Sequence, residues 1–172
     1  MKLNPNLLLA SLLAVFLLSC SKESDSKPRE ENGPIKGEIQ IRVDGGAWQK
    51  RVAGPAVKFR EGYYAIADLD SDEVGSSILI RWMGGIGTHA YKAIGAAEGT
   101  HAHYLIDDGN NYVPYYVTET GMYVSGGGVT ITTMGEKDGF IEGTFLMDPA
   151  GYGDALMQQA KIEGKFRVKK GW

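Results

Sequence analysis

Hydrophobic and polar residues alternate along the chain from residue 37 onward. Ile39, Ile41 and Val43 are separated by polar residues, and a D-G-G sequence follows them. Alternation with a period of two is typical of a strand with one buried face, and Asp-Gly is a strong hairpin signal. The pattern therefore predicts a β-hairpin whose second strand covers residues 47–53.

The same alternation continues in short segments separated by turn-forming residues. The predicted strands are 57–60, 63–68, 77–83, 88–93, 100–106, 112–118, 121–124, 129–134, 140–147 and 161–169. The chain has 24 glycines, and clusters of them, as at 126–128, predict turns. Many short strands at regular spacing predict an all-β domain over residues 37–172, either an antiparallel β-sandwich or a lipocalin-like β-barrel.

Two of the late strands share the sequence I-E-G-x-F, at 141–145 and 162–166. In both, Ile, Gly and Phe fall on one face of the strand. A glycine inside a strand usually marks a bend, a bulge or a close approach of another segment. We expect the two strands to be neighbours and Phe145 and Phe166 to be core residues.

An apolar run at residues 7–18 precedes the only cysteine of the chain, Cys20, within the sequence L-L-S-C. The run is too short to span a bilayer comfortably, and Lys2 supplies the positive charge expected at the start of a signal peptide. The pattern looks like a bacterial lipoprotein signal. It predicts that residues 1–19 are removed and that Cys20 carries lipid, palmitate included, which anchors the protein to a membrane.

Residues 20–36 are rich in charge and contain two prolines, so they predict a solvated tether between lipid and domain. The residue after the cysteine is Ser21 rather than Asp, which does not look like an inner-membrane retention signal. We therefore expect a lipid-anchored protein of the cell envelope at the outer membrane, facing either the periplasm or the cell surface.

Composition excludes several functional classes. The formal net charge is −3 and the chain has one cysteine. A mildly acidic chain lacks the basic surface that binds nucleic acid. With Cys20 lipidated, no thiol remains for a disulfide, a thiolate nucleophile or a zinc–cysteine site.

The motifs together resemble a known group of proteins. They are G-x-I-x-x-x-V-D-G-x-x-W at 37–48, a segment from Ile80 to G-T-H-A-Y at 87–91, V-T-I at 129–131, and the closing I-E-G-T-F and I-E-G-K-F strands. This is similar to small lipoproteins of unknown function in Bacteroidota, which open with a D/N-G-x-x-W hairpin and close with a G-T-F and G-x-F strand pair. The resemblance implies a calycin-like all-β domain with a membrane anchor, and no activity.

The three histidines of the chain are weak candidates for a metal site. They are His89, His101 and His103. If 88–93 and 100–106 form a hairpin, all three imidazoles converge on one patch and suit zinc or copper. A register shift of one residue would move His89 to the other face, so we expect no metal and no cofactor, and keep a three-His site as an alternative.

Aromatic side chains give the second set of candidate site residues. Aromatic rings with a polar tip suit glycans, apolar ligands and protein interfaces, although tyrosine is also common in half-buried strands. The candidates for ligand binding are Trp48, Trp82, Tyr64, Tyr115 and Tyr116.

Motifs for nucleophilic catalysis or phosphate binding do not stand out, so we do not expect an enzyme. The sequence favours a lipid-anchored module that binds a small apolar ligand, a glycan or an envelope protein. Two alternatives stay open, a metal-binding protein that uses the three histidines and an envelope structural component without a ligand.

The anchor generates the first testable prediction. Because Cys20 is the only cysteine, Cys20→Ala should abolish metabolic labelling with a palmitate analogue while the protein is still produced. Ser19→Ala keeps a small residue before the cysteine and is the matched control, which should label like the parent. Equal labelling of Cys20→Ala and parent would contradict the lipobox interpretation.

Overall fold

The computed structural model describes residues 37–68, 77–92, 99–105 and 110–172, and this part of the chain contains thirteen strands and no α-helix. The strands are β1 (Gly37–Val43), β2 (Gln49–Ala53), β3 (Val57–Arg60), β4 (Tyr63–Ala67), β5 (Ser77–Met83), β6 (Gly87–Ala90), β7 (His101–Leu105), β8 (Asn111–Tyr112), β9 (Tyr115–Thr118), β10 (Gly121–Val124), β11 (Gly126–Met134), β12 (Phe140–Tyr152) and β13 (Gln158–Lys169). A single 3₁₀ turn, Asp154–Leu156, lies between β12 and β13.

The strands form an antiparallel β-sandwich. The first sheet has the order β2-β1-β13-β12-β11-β6, the second has the order β3-β4-β5-β7-β8, and β9 and β10 form a separate hairpin. Side chains from both sheets join one hydrophobic core. The predicted all-β class is therefore confirmed, and of its two forms the sandwich is present, since neither described sheet closes into a barrel.

Alternation along the strands builds the core. Ile78, Ile80 and Trp82 of β5 point inward and are fully buried, whereas the residues between them are half-buried on the outer face. Complete burial of a large apolar side chain contributes roughly 1.5–3 kcal/mol, so each inward row stabilises the sandwich strongly. Because the period is two, the inward row also fixes which side chains of β5 face outward.

The two I-E-G-x-F strands are neighbours, as predicted, and their phenylalanines and glycines pack reciprocally. Phe145 of β12 pairs with Gly164 of β13, and Gly143 pairs with Phe166. Both rings are buried. A Cβ on Gly143 would lie 2.6 Å from Cζ of Phe166, and a Cβ on Gly164 would overlap the ring of Phe145. The missing side chain at each glycine therefore leaves the space that the opposite phenylalanine ring occupies.

An aromatic stack connects this strand pair to the second sheet. Trp82 lies 6.3 Å from Phe166 between ring centroids, and Tyr64 lies 5.4 Å from Trp82. Trp172 continues the stack at 5.0 Å from Tyr64. The hydroxyl of Tyr104 in the second sheet donates a 2.7 Å hydrogen bond to Gln49 in the first.

Two local predictions are wrong. The glycine cluster at 126–128 is not a turn but the start of β11, where a Cβ on Gly126 would lie 2.9 Å from the backbone oxygen of Asp148. The predicted strand at 112–118 is two strands, β8 and β9, because Pro114 lies between them and has no N–H for a ladder.

The described residues contain no helix with the length and apolarity needed to cross a membrane. Residues 1–36, with the predicted signal peptide, Cys20 and tether, lie outside the part of the chain that the structure describes.

The reciprocal packing generates the second prediction. Gly164→Ala should lower the free energy of unfolding by about 1–3 kcal/mol or more, because the new methyl group must displace the Phe145 ring from a packed core. Urea unfolding measures the change.

Gly85→Ala is the matched control, since nothing lies within 4 Å of the position its Cβ would take. It should stay within about 0.5 kcal/mol of the parent. Equal stability of the two variants would show that the ring of Phe145 does not occupy this space.

Candidate functional site

The outer face of the second sheet carries a cluster of polar side chains. Arg81 of β5 lies directly opposite His101 of β7, and Leu79 lies opposite His103. The inward positions between them are apolar and buried, namely Ile80 and Ala102. Burial of that inner row therefore places the arginine and both histidines together on the outer face.

The β9–β10 hairpin adds Tyr115 to this group. The Tyr115 ring lies 6.1 Å from the His101 ring, and the His101 and His103 rings are also 6.1 Å apart between centroids. All of these side chains are half-buried. We call Arg81, His101, His103 and Tyr115 the Arg–His cluster.

The histidines of the cluster are neutral at physiological pH. Burial lowers the pKa of His101 to about 4, and the positive charges of protonated His103 and of Arg81 add to this effect. Burial, followed by Arg81, also lowers the pKa of His103, while burial raises the pKa of the Tyr115 hydroxyl. Within the Arg–His cluster, Arg81 is therefore the residue that carries a formal charge at this pH.

This guanidinium is incompletely satisfied within the described residues. The Nε of Arg81 is buried and has no hydrogen-bond partner there. A buried donor on a cation is costly when it is left unpaired. A ligand on the outer face of the second sheet would therefore meet a positive charge with neutral imidazole N–H groups close to it.

An apolar cleft of about 330 Å³ lies beside the cluster on the same sheet. Its lining residues are Gly54, Pro55, Val57, Phe59, Ala65, Ile66, Ala67, Asp68 and Leu79. Register connects the two features, because Ala65 of the cleft pairs with Arg81 and Leu79 pairs with His103. Val57 and Phe59 are 50% and 60% exposed at its rim.

The five aromatic residues predicted to bind ligand lie in different parts of the described structure. Trp82 and Tyr64 are buried in the core between the sheets, where their rings stack on each other. Trp48 lies beneath two cations on the first sheet, with Arg42 at 4.6 Å and Lys165 at 4.8 Å from its ring centroid.

The two hairpin tyrosines differ in their surroundings. Tyr116 stacks on Tyr123 at 5.7 Å, whereas the ring of Tyr115 lies 6.1 Å from that of His101. Of the five aromatic candidates, Tyr115 is the member of the Arg–His cluster.

The predicted hairpin that would bring three histidines together is wrong. His89 lies on β6, which pairs with β11 in the first sheet rather than with β7. Its Nε2 is 2.8 Å from the backbone oxygen of Gly85. The described residues contain no group of three His, Cys, Asp or Glu side chains able to hold a metal ion. The three-His alternative therefore has no geometric support.

Sequence reasoning missed Arg81 and the cleft. A signal for Arg81 was present, because a charged residue stands in the middle of the apolar run Ser77–Met83. The alternation of buried and exposed positions along this strand already places Arg81 on the face opposite to that of Ile80. The cleft had no such signal, since the small side chains of Ala65 and Ala67 look like ordinary strand residues.

No protein-family model, curated protein or solved structure gives a match to this chain. The resemblance to Bacteroidota lipoproteins, the lipid on Cys20 and the envelope location therefore stay predictions, and the site must be interpreted from its own geometry.

The buried histidine generates the third prediction. The pKa of His101 is lowered from its ordinary 6.5 to about 4. Between these two pH values the unfolded chain takes up a proton that the folded protein does not, so stability falls as the pH is lowered through this window. His101→Gln should make that loss shallower, and part should remain because the pKa of His103 is also lowered.

Urea unfolding at a series of pH values measures the difference between parent and variant, and NMR titration of the imidazole reports the His101 pKa directly. An unchanged slope in the variant, or a His101 midpoint near its ordinary value, would contradict the burial of this ring.

Proposed function

We propose that this protein is a lipid-anchored binding module of the bacterial cell envelope that takes up a small apolar ligand on the outer face of its second sheet. The observation that carries the proposal is the apolar cleft of about 330 Å³ beside a guanidinium whose buried Nε has no hydrogen-bond partner among the described residues. Small-molecule sites are typically concave, mostly apolar and about 300–1,000 Å³ in volume, with a few polar groups at one side.

Both features are costly in a protein that binds nothing. Val57 and Phe59 expose apolar surface at the rim of the cleft, and Arg81 buries a donor without a partner among the described residues. Exposed apolar patches and unsatisfied buried polar groups tend to mark interaction sites. Their juxtaposition on one face supports ligand binding over a purely structural role.

A small ligand is favoured over a glycan for a specific reason. The glycan alternative depends on exposed aromatic platforms, yet Trp82 and Tyr64 are core residues and the ring of Trp48 is flanked by cations. The cleft is lined mainly by aliphatic and small side chains, with Phe59 at the rim. Such a surface suits an alkyl or small ring group better than a sugar face.

The anchor defines where such a ligand would be met. In our proposal lipidation of Cys20 holds the β domain next to an envelope membrane, where apolar molecules are concentrated. The support for this part is the L-L-S-C sequence after an apolar run.

Binding of the neutral, environment-sensitive dye N-phenyl-1-naphthylamine to the chain without its signal peptide tests the proposal. We expect saturable binding at one site. Ala67→Trp, at an exposed position that lines the cleft, should fill it and weaken binding about tenfold or more, and Phe59→Ser should also weaken it.

Ile86→Ser is the matched control, because Ile86 is 68% exposed and does not line the cleft. It should bind the dye like the parent. Absence of saturable binding, or equal losses in Ile86→Ser and Phe59→Ser with all variants folded, would contradict the proposed site.

A further inference from the structure

We infer that the ligand is an amphiphile with a carboxylate head group, that Arg81 holds this head group, and that the apolar cleft takes its aliphatic tail. The inference rests on the proposed function and specifies the chemistry of that same site. It is carried by the register, the charge and the donors of the second sheet.

The register places head and tail sites in one row across four strands. Val57 pairs with Ala65, Ala65 with Arg81, and Arg81 with His101. Neighbouring strands are about 4.8 Å apart, so this row runs for roughly 14 Å from the apolar rim to the imidazole. A second row of Ala67, Leu79 and His103 runs beside it. In both rows the side chains are apolar on β4 and polar on β7.

Charge selects an anion at the polar end. Ion pairs are formed by other cations of the described residues, among them Arg42, Lys50, Lys58, Lys161 and Arg167. Arg81 has none among them. An incoming carboxylate would supply the acceptors that the guanidinium lacks, and the planar fork of arginine matches a carboxylate in two parallel hydrogen bonds.

The acidic residue of the cleft does not compete for this position. Asp68 lies in register with Ile78, three residues along β5 from Arg81, which is about 10 Å. Its Oδ1 accepts a 3.2 Å hydrogen bond from the backbone N–H of Ile78. The carboxylate of Asp68 is therefore held at Ile78 and away from Arg81, so an anionic head group is directed to the guanidinium beside the cleft.

The neighbours of Arg81 can support the same head group. A neutral imidazole offers one N–H donor, and the ring of Tyr115, whose hydroxyl is also a donor, lies 6.1 Å from that of His101. A carboxylate bound here would favour the protonated imidazole and raise the pKa of His101 from its lowered value. Binding should consequently be accompanied by proton uptake and strengthen as the pH falls toward the raised pKa.

Displacement of N-phenyl-1-naphthylamine by decanoate and by decanol tests the inference, because the two differ only in the head group. Hydrogen bonds to charged groups contribute about 1.5–3 kcal/mol, so decanoate should compete about 10–100-fold better than decanol in the parent. Arg81→Gln should remove this preference, so that decanoate competes no better than decanol in the variant. Arg81→Lys should retain part of it.

Arg167→Gln is the control, since Arg167 lies on the first sheet and pairs with Glu142 at 2.9 Å. It should keep the full preference. An NMR titration of the His101 ring in the parent gives a readout that does not depend on any variant folding: its pKa should rise with decanoate and not with decanol.

Equal competition by decanoate and decanol in the parent, or a preference that survives in Arg81→Gln, would overturn the inference while leaving the proposed apolar site intact. Failure of the dye and both decyl compounds to bind the parent would overturn the proposed function and the inference with it.

Discussion

The packing of two phenylalanine rings over two glycines on adjacent strands is the constraint on which the rest of the fold depends. Phe145 and Phe166 each occupy the space left by the glycine opposite, so β12 and β13 fit together in one register. A shift of one residue would set each ring against a larger side chain and turn the other face inward. Through Trp82, which packs against Phe166, the same pair positions the second sheet.

The candidate site follows from this core by alternation. Ile80 and Trp82 face the rings of the first sheet, so the side chain of Arg81, which lies between them in β5, must point to the outer face. Pairing of β5 with β7 then sets His101 beside it. The site thus lies on the face of the second sheet opposite to the buried side chains of Ile80 and Trp82. Its side chains stand on strands whose inner faces are buried, and sites built on strands are held more precisely than sites on loops.

Sequence reasoning found the strands and the core phenylalanines because both depend on local spacing. It failed to predict which strands pair when the pairing depends on segments far apart in the sequence. The hairpin expected for His89 and His101 assumed that consecutive strands pair, but β6 joins the first sheet and β7 the second. That choice depends on which inner faces meet across the core, and it cannot be read from local periodicity. The cleft beside Ala65 was hidden for the same reason, since it exists only where three strands adjoin.

The first sheet has a consequence for the order in which this chain can acquire its structure. β1 lies between β2 and β13, so Ile39 finds its partner Phe166 only after more than a hundred intervening residues have been synthesised. Pairings of such long range slow folding and cannot form on a chain emerging from its N-terminus. Until β13 has been synthesised, the backbone groups on one edge of β1 have no strand to pair with. The first sheet is therefore completed only when β13, the last of the described strands, has been synthesised.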